Sequence, residues 1–122
     1  MKLHASAAAG RNAFTAYGAD FVAVNGEPRR TSLVVLPDRV LDWPPASFEA
    51  LAAAHFEQLA ALGVELVLLG TGPRLRFPAP SLTAPLANAG IGLEVMDVQA
   101  ACRTYNILAA EERKVAAALL LG

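Results

Sequence analysis

The sequence predicts a mixed α/β fold, with a β-rich first third and a β-α-β-α-β C-terminal part. Short alternating apolar segments on both sides of Asn25-Gly26 indicate strands joined by a hairpin turn. After Pro44 the apolar spacing changes to three and four residues, which indicates a helix. From Gly63 onward, apolar runs alternate with helix-like segments, which is typical of parallel strands joined by crossover helices.

The first third contains four strand-like segments. FTAYG and DFVAVNG alternate in the manner of half-buried strands, and Asn25-Gly26 suits a hairpin because both residues tolerate positive φ. We expect a strand over 31–37, TSLVVLP, to follow that turn. A proline turn then leads to RVLDW at 39–43, which we expect to be a further short strand.

The first predicted helix follows two consecutive prolines. Ser47 is the expected N-cap, the helix is expected to run to about Leu62, and Gly63 is expected to supply the left-handed exit. His55 lies near the edge of the apolar stripe, where a packed or rim residue is more common than a base or a ligand. The residues that form the stripe are Phe48, Leu51, Ala52, Phe56, Leu59 and Leu62.

The C-terminal part alternates two strands with two helices. Ser81 is a candidate cap and Gly90 the exit of the first of these helices, and Asp97 caps the second. The alternation implies parallel pairing of the strands. The predicted strands are VELVLL at 64–69 and IGLEVM at 91–96, and the predicted helices are SLTAPLANAG at 81–90 and VQAACRTYNILAA at 98–110.

The closing segment RKVAAALLLG has two interpretations. It could extend the preceding helix, or it could form a last buried strand after the polar break at Glu111-Glu112. We favour the strand, because Val115 to Leu121 offers almost no polar face for a helix to expose.

Composition narrows the class of protein. We expect residues 1–122 to form a single domain, long enough to bury a core without disulfides. The formal net charge of -1 provides no global attraction for nucleic acid, so we expect no nucleic-acid partner.

Cys102 is the one cysteine, and no zinc-ligand spacing is present, so we expect neither a metal nor another cofactor. No apolar run spans a bilayer and no secretory signal is evident, so we expect a cytoplasmic protein.

The stretch LLGTGPRLRFP, residues 68–78, has the appearance of a ligand loop. A phosphate-binding loop needs inward backbone N–H groups and a helix behind them. Pro73 removes a donor, no Lys-Ser/Thr pair follows, and RLRF looks extended. We therefore favour a glycine-assisted exit from a buried strand over a nucleotide site.

The same loop is nevertheless the best candidate for a binding edge, because ligands of open parallel sheets bind at the carboxyl ends of strands. Arg74 and Arg76 would point the same way from an extended segment and could hold an anion or a carboxylate. On the third helix, Cys102 and Tyr105 are expected in the core, and no catalytic constellation is visible. The candidate binding residues are Gly70, Thr71, Gly72, Arg74, Arg76, Arg103 and Asn106.

Three segments in order, LVLLGTGPRLRFP, IGLEVMDVQAACRTYNIL and ERKVAAALLL, carry a family resemblance. The chain resembles the small conserved domain family of unknown function that includes the mitochondrial NADH:ubiquinone oxidoreductase (complex I) assembly factor 3 and an adipogenesis-associated protein. The resemblance implies a three-layer fold with a mixed sheet, a β-rich hammerhead-like N-terminal part and a final strand. The short N-terminal segment is typical of a bacterial member.

The resemblance also bears on function. It brings no catalytic residues, and it implies a non-enzymatic binding or assembly-factor-like module with protein partners, in particular respiratory-complex subunits or assembly proteins. The alternative is a small-molecule or anion-binding protein or enzyme that uses the edge from Gly70 to Arg76. One departure concerns Glu111-Glu112-Arg113, where members of the family usually have Glu-Gly-Arg, so the tight turn expected there lacks its glycine.

Overall fold

A computed structural model of the chain describes residues 1, 3 and 10–121. These residues form eight strands and three α-helices, in agreement with the predicted mixed α/β class. The strands are β1 Phe14–Tyr17, β2 Val22–Val24, β3 Glu27–Arg29, β4 Leu33–Leu36, β5 Arg39–Asp42, β6 Leu66–Gly70, β7 Gly92–Met96 and β8 Val115–Leu119. The helices are α1 Ala53–Ala60, α2 Pro80–Asn88 and α3 Val98–Ala110.

The first three strands form an antiparallel sheet in the order β1-β2-β3. The predicted hairpin is confirmed: Asn25 and Gly26 have φ angles of 52° and 85°, the positive values that a tight two-residue turn requires. The strand expected over 31–37 is present as β4, and the strand expected over 39–43 is present as β5. A short strand that was not predicted, Glu27–Arg29, lies between the turn and β4. Its two charged residues and Pro28 are untypical of a strand.

The other five strands form a mixed sheet in the order β5-β4-β8-β6-β7. Strand β6 pairs in parallel with both β7 and β8, as the alternation of strands and helices predicted. Strand β4 pairs antiparallel with β5 and β8. The closing segment therefore forms the central strand β8, and the interpretation as a strand is confirmed. Its alanines are buried because layers cover the sheet on both sides.

Two hydrophobic cores lie on opposite faces of this five-stranded sheet. Alternate residues of each central strand point to opposite faces, so that Ala117 belongs to one core and Ala118 to the other. One core contains α3 residues together with Phe14 and Val22 of the three-stranded sheet, and the other contains Phe56 and Leu86 of α1 and α2. The described residues thus form three layers: α1 and α2, the five-stranded sheet, and α3 together with the three-stranded sheet.

Two helix starts differ from the sequence prediction. Ser47 precedes only a 3-10 turn at Phe48–Ala50, and its hydroxyl makes no capping bond. Helix α1 begins later, where Nδ1 of His55 accepts the backbone N–H of Ala52 at 3.0 Å. Helix α2 begins at Pro80, whose fixed φ suits the first turn, so Ser81 is not its cap. The cap at Asp97 is confirmed, since its Oδ1 accepts the N–H of Ala100 at 2.9 Å.

The turn between α3 and β8 is built without a glycine. Glu112 takes the left-handed conformation, with φ of 62°. The N–H groups of Glu112 and Arg113 donate to the carbonyls of Ala109 and Leu108, at 3.0 Å each. This pattern is a Schellman ending, in which the left-handed position is usually glycine. A glutamate can adopt it only at a cost in backbone energy.

Candidate functional site

The candidate loop leaves the carboxyl end of β6 at a point of close packing. A Cβ atom on Gly70 would lie 2.7 Å from Cδ2 of Leu119 and 3.2 Å from Cα of Val98. Glycine is therefore needed here so that the start of α3 can approach the strand. Gly72 has φ of 95°, a value that glycine adopts without strain.

Thr71 organises the loop from inside. Its side chain is buried, and its hydroxyl donates to the carbonyl of Arg74 at 2.7 Å and accepts the N–H of Arg76 at 3.0 Å. Its own N–H donates to the carbonyl of Met96 at the end of β7, at 2.9 Å. The buried side chain of Thr71 thus links Arg74 to Arg76, while its backbone N–H ties the loop to the end of β7.

Arg76 lies half-buried against the 3-10 turn. Its guanidinium donates to the carboxylate of Glu49, and its Cζ lies 4.1 Å from the centre of the Phe48 ring, within the range of a cation–π contact. The hydrogen bond from Arg76 lowers the pKa of Glu49 below its ordinary value. The Nε–H of Arg76 is buried without a partner among the described residues.

Two large apolar side chains alternate with the arginines and are exposed. Leu75 is 50% exposed and Phe77 is 72% exposed, although both residues are of types that usually pack inside. Neither residue was predicted as a site residue, because the charged positions of RLRF alone suggested a binding role. The alternation itself was the available signal: if Arg76 turns toward the protein from an extended segment, Leu75 and Phe77 turn away.

A cleft of about 440 Å³ lies between the loop and the 3-10 turn. Phe48, Glu49, Thr71, Arg74 and Arg76 are among its lining residues, so the structure brings the loop arginines together beside one carboxylate. Arg74 is exposed and Arg76 is already paired with Glu49. The net positive charge left in the cleft is therefore smaller than two arginines would suggest.

Two backbone donors at the start of α3 are already used. The N–H of Val98 donates to the carbonyl of Gly72 at 2.9 Å. The N–H of Ala100 donates to the Asp97 side chain. A phosphate site at a helix N-terminus uses such groups as free donors, so the geometry at these two positions disfavours one.

The other predicted site residues, Arg103 and Asn106, face a different part of the molecule. The Asn106 side chain accepts the N–H of Phe14 at 2.9 Å and donates to the Phe14 carbonyl at 2.8 Å. Arg103 donates to the hydroxyl of Tyr17 at 2.8 Å. Neither residue lines the cleft beside Arg74 and Arg76. The structure thus does not bring the two predicted groups together in that cleft.

Cys102 and Tyr105 are buried in the core, as predicted. Burial raises the pKa of the Cys102 thiol to about 12, so the thiol stays protonated near neutral pH. Burial also raises the pKa of Tyr105, whose hydroxyl donates to the carbonyl of Asn12 at 3.0 Å. Both side chains have structural partners, and neither is placed as an activated nucleophile.

Residues 1, 3 and 10–121 contain no group of three or more His, Cys, Asp or Glu side chains that is arranged to hold a metal ion. None of the helices in this part of the chain is both long and apolar enough to cross a membrane.

Comparison with known proteins assigns the chain to a protein family. A family model described as a protein of unknown function (DUF498/DUF598) matches residues 14–120. The chain is 29% identical over 109 residues to a Xenopus tropicalis protein named NADH dehydrogenase (ubiquinone) 1 alpha subcomplex assembly factor 3. That match covers 85% of this chain but 58% of the relative, so the chain spans little more than half the length of that protein.

Solved structures agree with the fold. A crystal structure of a Bordetella parapertussis protein has a TM-score of 0.87 and 39% identity, and the match covers 92% of this chain and 97% of that one. A solution structure from Bordetella pertussis, described as a Mth938-like domain, has a TM-score of 0.83 and 34% identity, with 99% and 92% covered. The fold neighbours are thus Mth938-like, with the mixed α/β arrangement seen here.

Proposed function

The chain belongs to the DUF498/DUF598 family, and we propose that it is a non-enzymatic binding module that assists the assembly of a protein complex. Relatives named as assembly factors of the NADH dehydrogenase (ubiquinone) complex support this proposal, and they suggest respiratory complex I or its assembly proteins as the partner. We treat residues 1–122 as one domain, because both cores share the central strands of a single sheet.

The observation that carries the proposal is the pair of apolar side chains on the loop. We define the docking loop as residues 71–78. It presents Leu75 and Phe77 to solvent while Thr71 and Arg76 hold its backbone in place. An exposed aromatic side chain on a pre-ordered loop is typical of a protein-binding hot spot, since little conformational freedom is lost on binding.

The size of the expected contribution follows from the exposed area. Complete burial of a Phe or Leu side chain contributes roughly 1.5–3 kcal/mol. Phe77 is 72% exposed and Leu75 is 50% exposed. A partner that buries them would therefore gain most of this free energy from Phe77 and about half of it from Leu75. These two residues are therefore expected to dominate binding, whereas the charged residues around them set orientation.

Quantitative affinity recovery from the native host tests the proposal. The double variant Leu75→Ser/Phe77→Ser is compared with the wild-type chain and with Ile107→Ser. Ile107 is a matched control, because it is 60% exposed but lies on α3. We expect the wild type and the control to retain the same respiratory-complex subunits or assembly proteins. We expect the double variant to bind them roughly 30-fold or more weakly.

Two results would contradict the proposal. The first is a wild-type preparation in which no subunit or assembly protein of a respiratory complex is enriched above an unrelated bait. The second is equal loss of the same partner from the Ile107→Ser control, which would show that general surface polarity and not the docking loop decides retention. Thermal melting of all three chains confirms that each is folded.

A second candidate function is anion or small-molecule binding in the cleft beside Arg76. The observation that favours it is the buried Nε–H of Arg76, which has no partner among the described residues. Glu49 competes for the same guanidinium, so Glu49→Gln should strengthen an anion site. A larger rise in melting temperature of Glu49→Gln than of wild type, with phosphate, nucleotides or acyl carboxylates, would support this candidate. No rise for either chain would exclude it.

A further inference from the structure

Strand β7 forms one edge of the five-stranded sheet, and no backbone group among the described residues hydrogen-bonds to its outer side. The N–H of Gly92 donates to Glu65 at 3.0 Å and the carbonyl of Met96 accepts from Thr71 at 2.9 Å, so these residues face β6. Successive residues of a strand face opposite ways. The N–H and C=O groups of Leu93 and Val95 therefore point outward, and no strand of the described chain lies beyond β7.

The other sheet edges among the described residues are protected in ways that β7 is not. Strand β3 contains Pro28, which lacks a donor, between two charged residues. Strand β5 begins and ends with the exposed charges Arg39 and Asp42, and the Arg39 guanidinium donates to the carbonyl of Leu62 at 3.0 Å, whereas β7 has one exposed charge, Glu94. Strand β1 is covered by Met1, by Leu3 and by the Asn106 side chain. The open side of β7 is thus the one suited to accept a further strand.

The side chains on both faces of β7 provide apolar contacts for such a strand. Leu93 and Val95 are half-buried against the core of α1 and α2, and Met96 is half-buried against the core of α3. Between them Glu94 is exposed, and it forms no salt bridge among residues 1, 3 and 10–121. We call this surface, from Gly92 to Met96, the β7 edge.

The charge of Glu94 decides between a second copy of this chain and a different partner. An antiparallel pair of two β7 edges that uses both Leu93 and Val95 of each copy must place Glu94 opposite Glu94 of the other copy. Like charges directly opposite each other destabilise a sheet, whereas opposite charges stabilise it. The edge thus disfavours self-pairing and favours a partner strand with a basic residue at that position.

We propose that the β7 edge is a β-augmentation site, which binds an extended apolar segment of a partner protein that has a Lys or Arg opposite Glu94. The inference rests on the proposed protein-binding function and specifies how the partner is bound. Backbone hydrogen bonds to Leu93 and Val95 provide affinity, and the Glu94 pair selects the sequence. The docking loop begins where β7 ends, since Thr71 bonds to Met96, so one partner could contact both surfaces.

Synthetic peptides test this proposal on the purified chain. The first probe is a nine-residue peptide of alternating valine and threonine with a central lysine. The second has glutamate in place of the lysine, and the third is the lysine peptide with prolines at alternate positions, which cannot form a ladder. The measurement is amide hydrogen exchange by NMR at Leu93 and Val95, with millimolar peptide.

The expected result is slowed exchange at Leu93 and Val95 with the lysine peptide and no slowing with the proline peptide. The glutamate peptide should bind about tenfold more weakly. Glu94→Lys should reverse the preference between the two charged peptides. Glu57→Lys is the matched control, because it makes the same charge change at an exposed position of α1, and it should leave the preference unchanged.

Three results would overturn the inference: unchanged exchange at Leu93 and Val95 with every peptide, equal binding of the lysine and glutamate peptides, or protection that rises with the concentration of the chain alone. The last would mean that a second copy occupies the edge. These outcomes leave the proposed function separately testable. If quantitative affinity recovery retains the same partner equally with the wild type and with Glu94→Lys, the protein-binding function stands and the proposed pair between Glu94 and a basic residue of the partner is wrong.

Discussion

Strands β1 and β7 are both edge strands, but they differ in whether other described residues hydrogen-bond to their outer sides. The outer side of β1 is closed by the chain itself: the Asn106 side chain bonds both backbone groups of Phe14, and Met1 and Leu3 bond Tyr17 and Thr15. The outer side of β7 has no such closure among the described residues, and the exposed docking loop begins at its end.

The difference separates structural polar residues from those available to a partner. Asn106 was predicted as a site residue, yet both its amide oxygen and its amide nitrogen bond the backbone of Phe14 and close β1. Glu94 has no partner among the described residues, and it lies where an added strand would pass. Hydrogen-bond satisfaction, more than residue type, therefore distinguishes the two edges.

The largest expected effect comes from opening the closed edge. Asn106→Leu removes both bonds to Phe14 and leaves a part-buried N–H and a part-buried C=O without partners, and each of these two groups should lower the free energy of unfolding by about 1–3 kcal/mol. Chemical denaturation measures the change. Arg103→Leu is the control, because it removes a single bond to Tyr17 from an exposed side chain. Equal stability of Asn106→Leu and wild type would show that β1 does not need this closure.

A second comparison makes the same substitution, glycine to alanine, on the inner strand β6 and on the edge strand β7. Gly70→Ala forces a Cβ within 3.2 Å of the Val98 backbone, and such overpacking should lower the free energy of unfolding by about 1–3 kcal/mol. Gly92→Ala brings its Cβ only to 3.3 Å from the flexible end of Leu66, so the loss should be below about 0.5 kcal/mol. Thermal melting of the two variants measures which of them loses more stability. A larger loss at Gly92 would mean that β7 is packed as tightly as the interior strands.

The smallest expected effect is a gain of stability at the end of α3, the helix that closes β1. Glu112→Gly should relieve the left-handed backbone and raise the free energy of unfolding by roughly 0.5–1 kcal/mol. Glu112 is 79% exposed in the ion pair lost with Arg11, so the pair contributes little. Glu112→Ala is the control, because it loses the ion pair but keeps Cβ. If both variants change stability equally, the backbone explanation is wrong.

Much of the fold was predictable because its signals are local. Asn25-Gly26 predicted the hairpin, Asp97 predicted the start of α3, and the alternation from Gly63 predicted the parallel strands, all of which the structure contains. The errors occurred where local chemistry was ambiguous. Ser47 has the residue type of a cap, but the chain forms a 3-10 turn there, and a histidine three residues into α1 takes over the capping bond.

The candidate site was predictable only in part. Gly70, Thr71 and Gly72 were identified as the turn, but their partners, Val98 and Met96, are distant in sequence. A single sequence gives no register between strands and helices, so it could not separate the cleft at Arg76 from the closure at Asn106. The same limit hid the β7 edge, because an edge strand differs from an inner strand by its neighbours and not by its own residues.

Hydrogen exchange on the complex recovered with the wild-type chain measures directly whether a partner covers the docking loop and the β7 edge. We expect slowed exchange over residues 71–78 and at Leu93 and Val95, relative to the free chain, with unchanged exchange at the β5 edge, Arg39–Asp42. Protection at β5 without protection of the docking loop would contradict it, since the partner would then bind at the opposite side of the sheet.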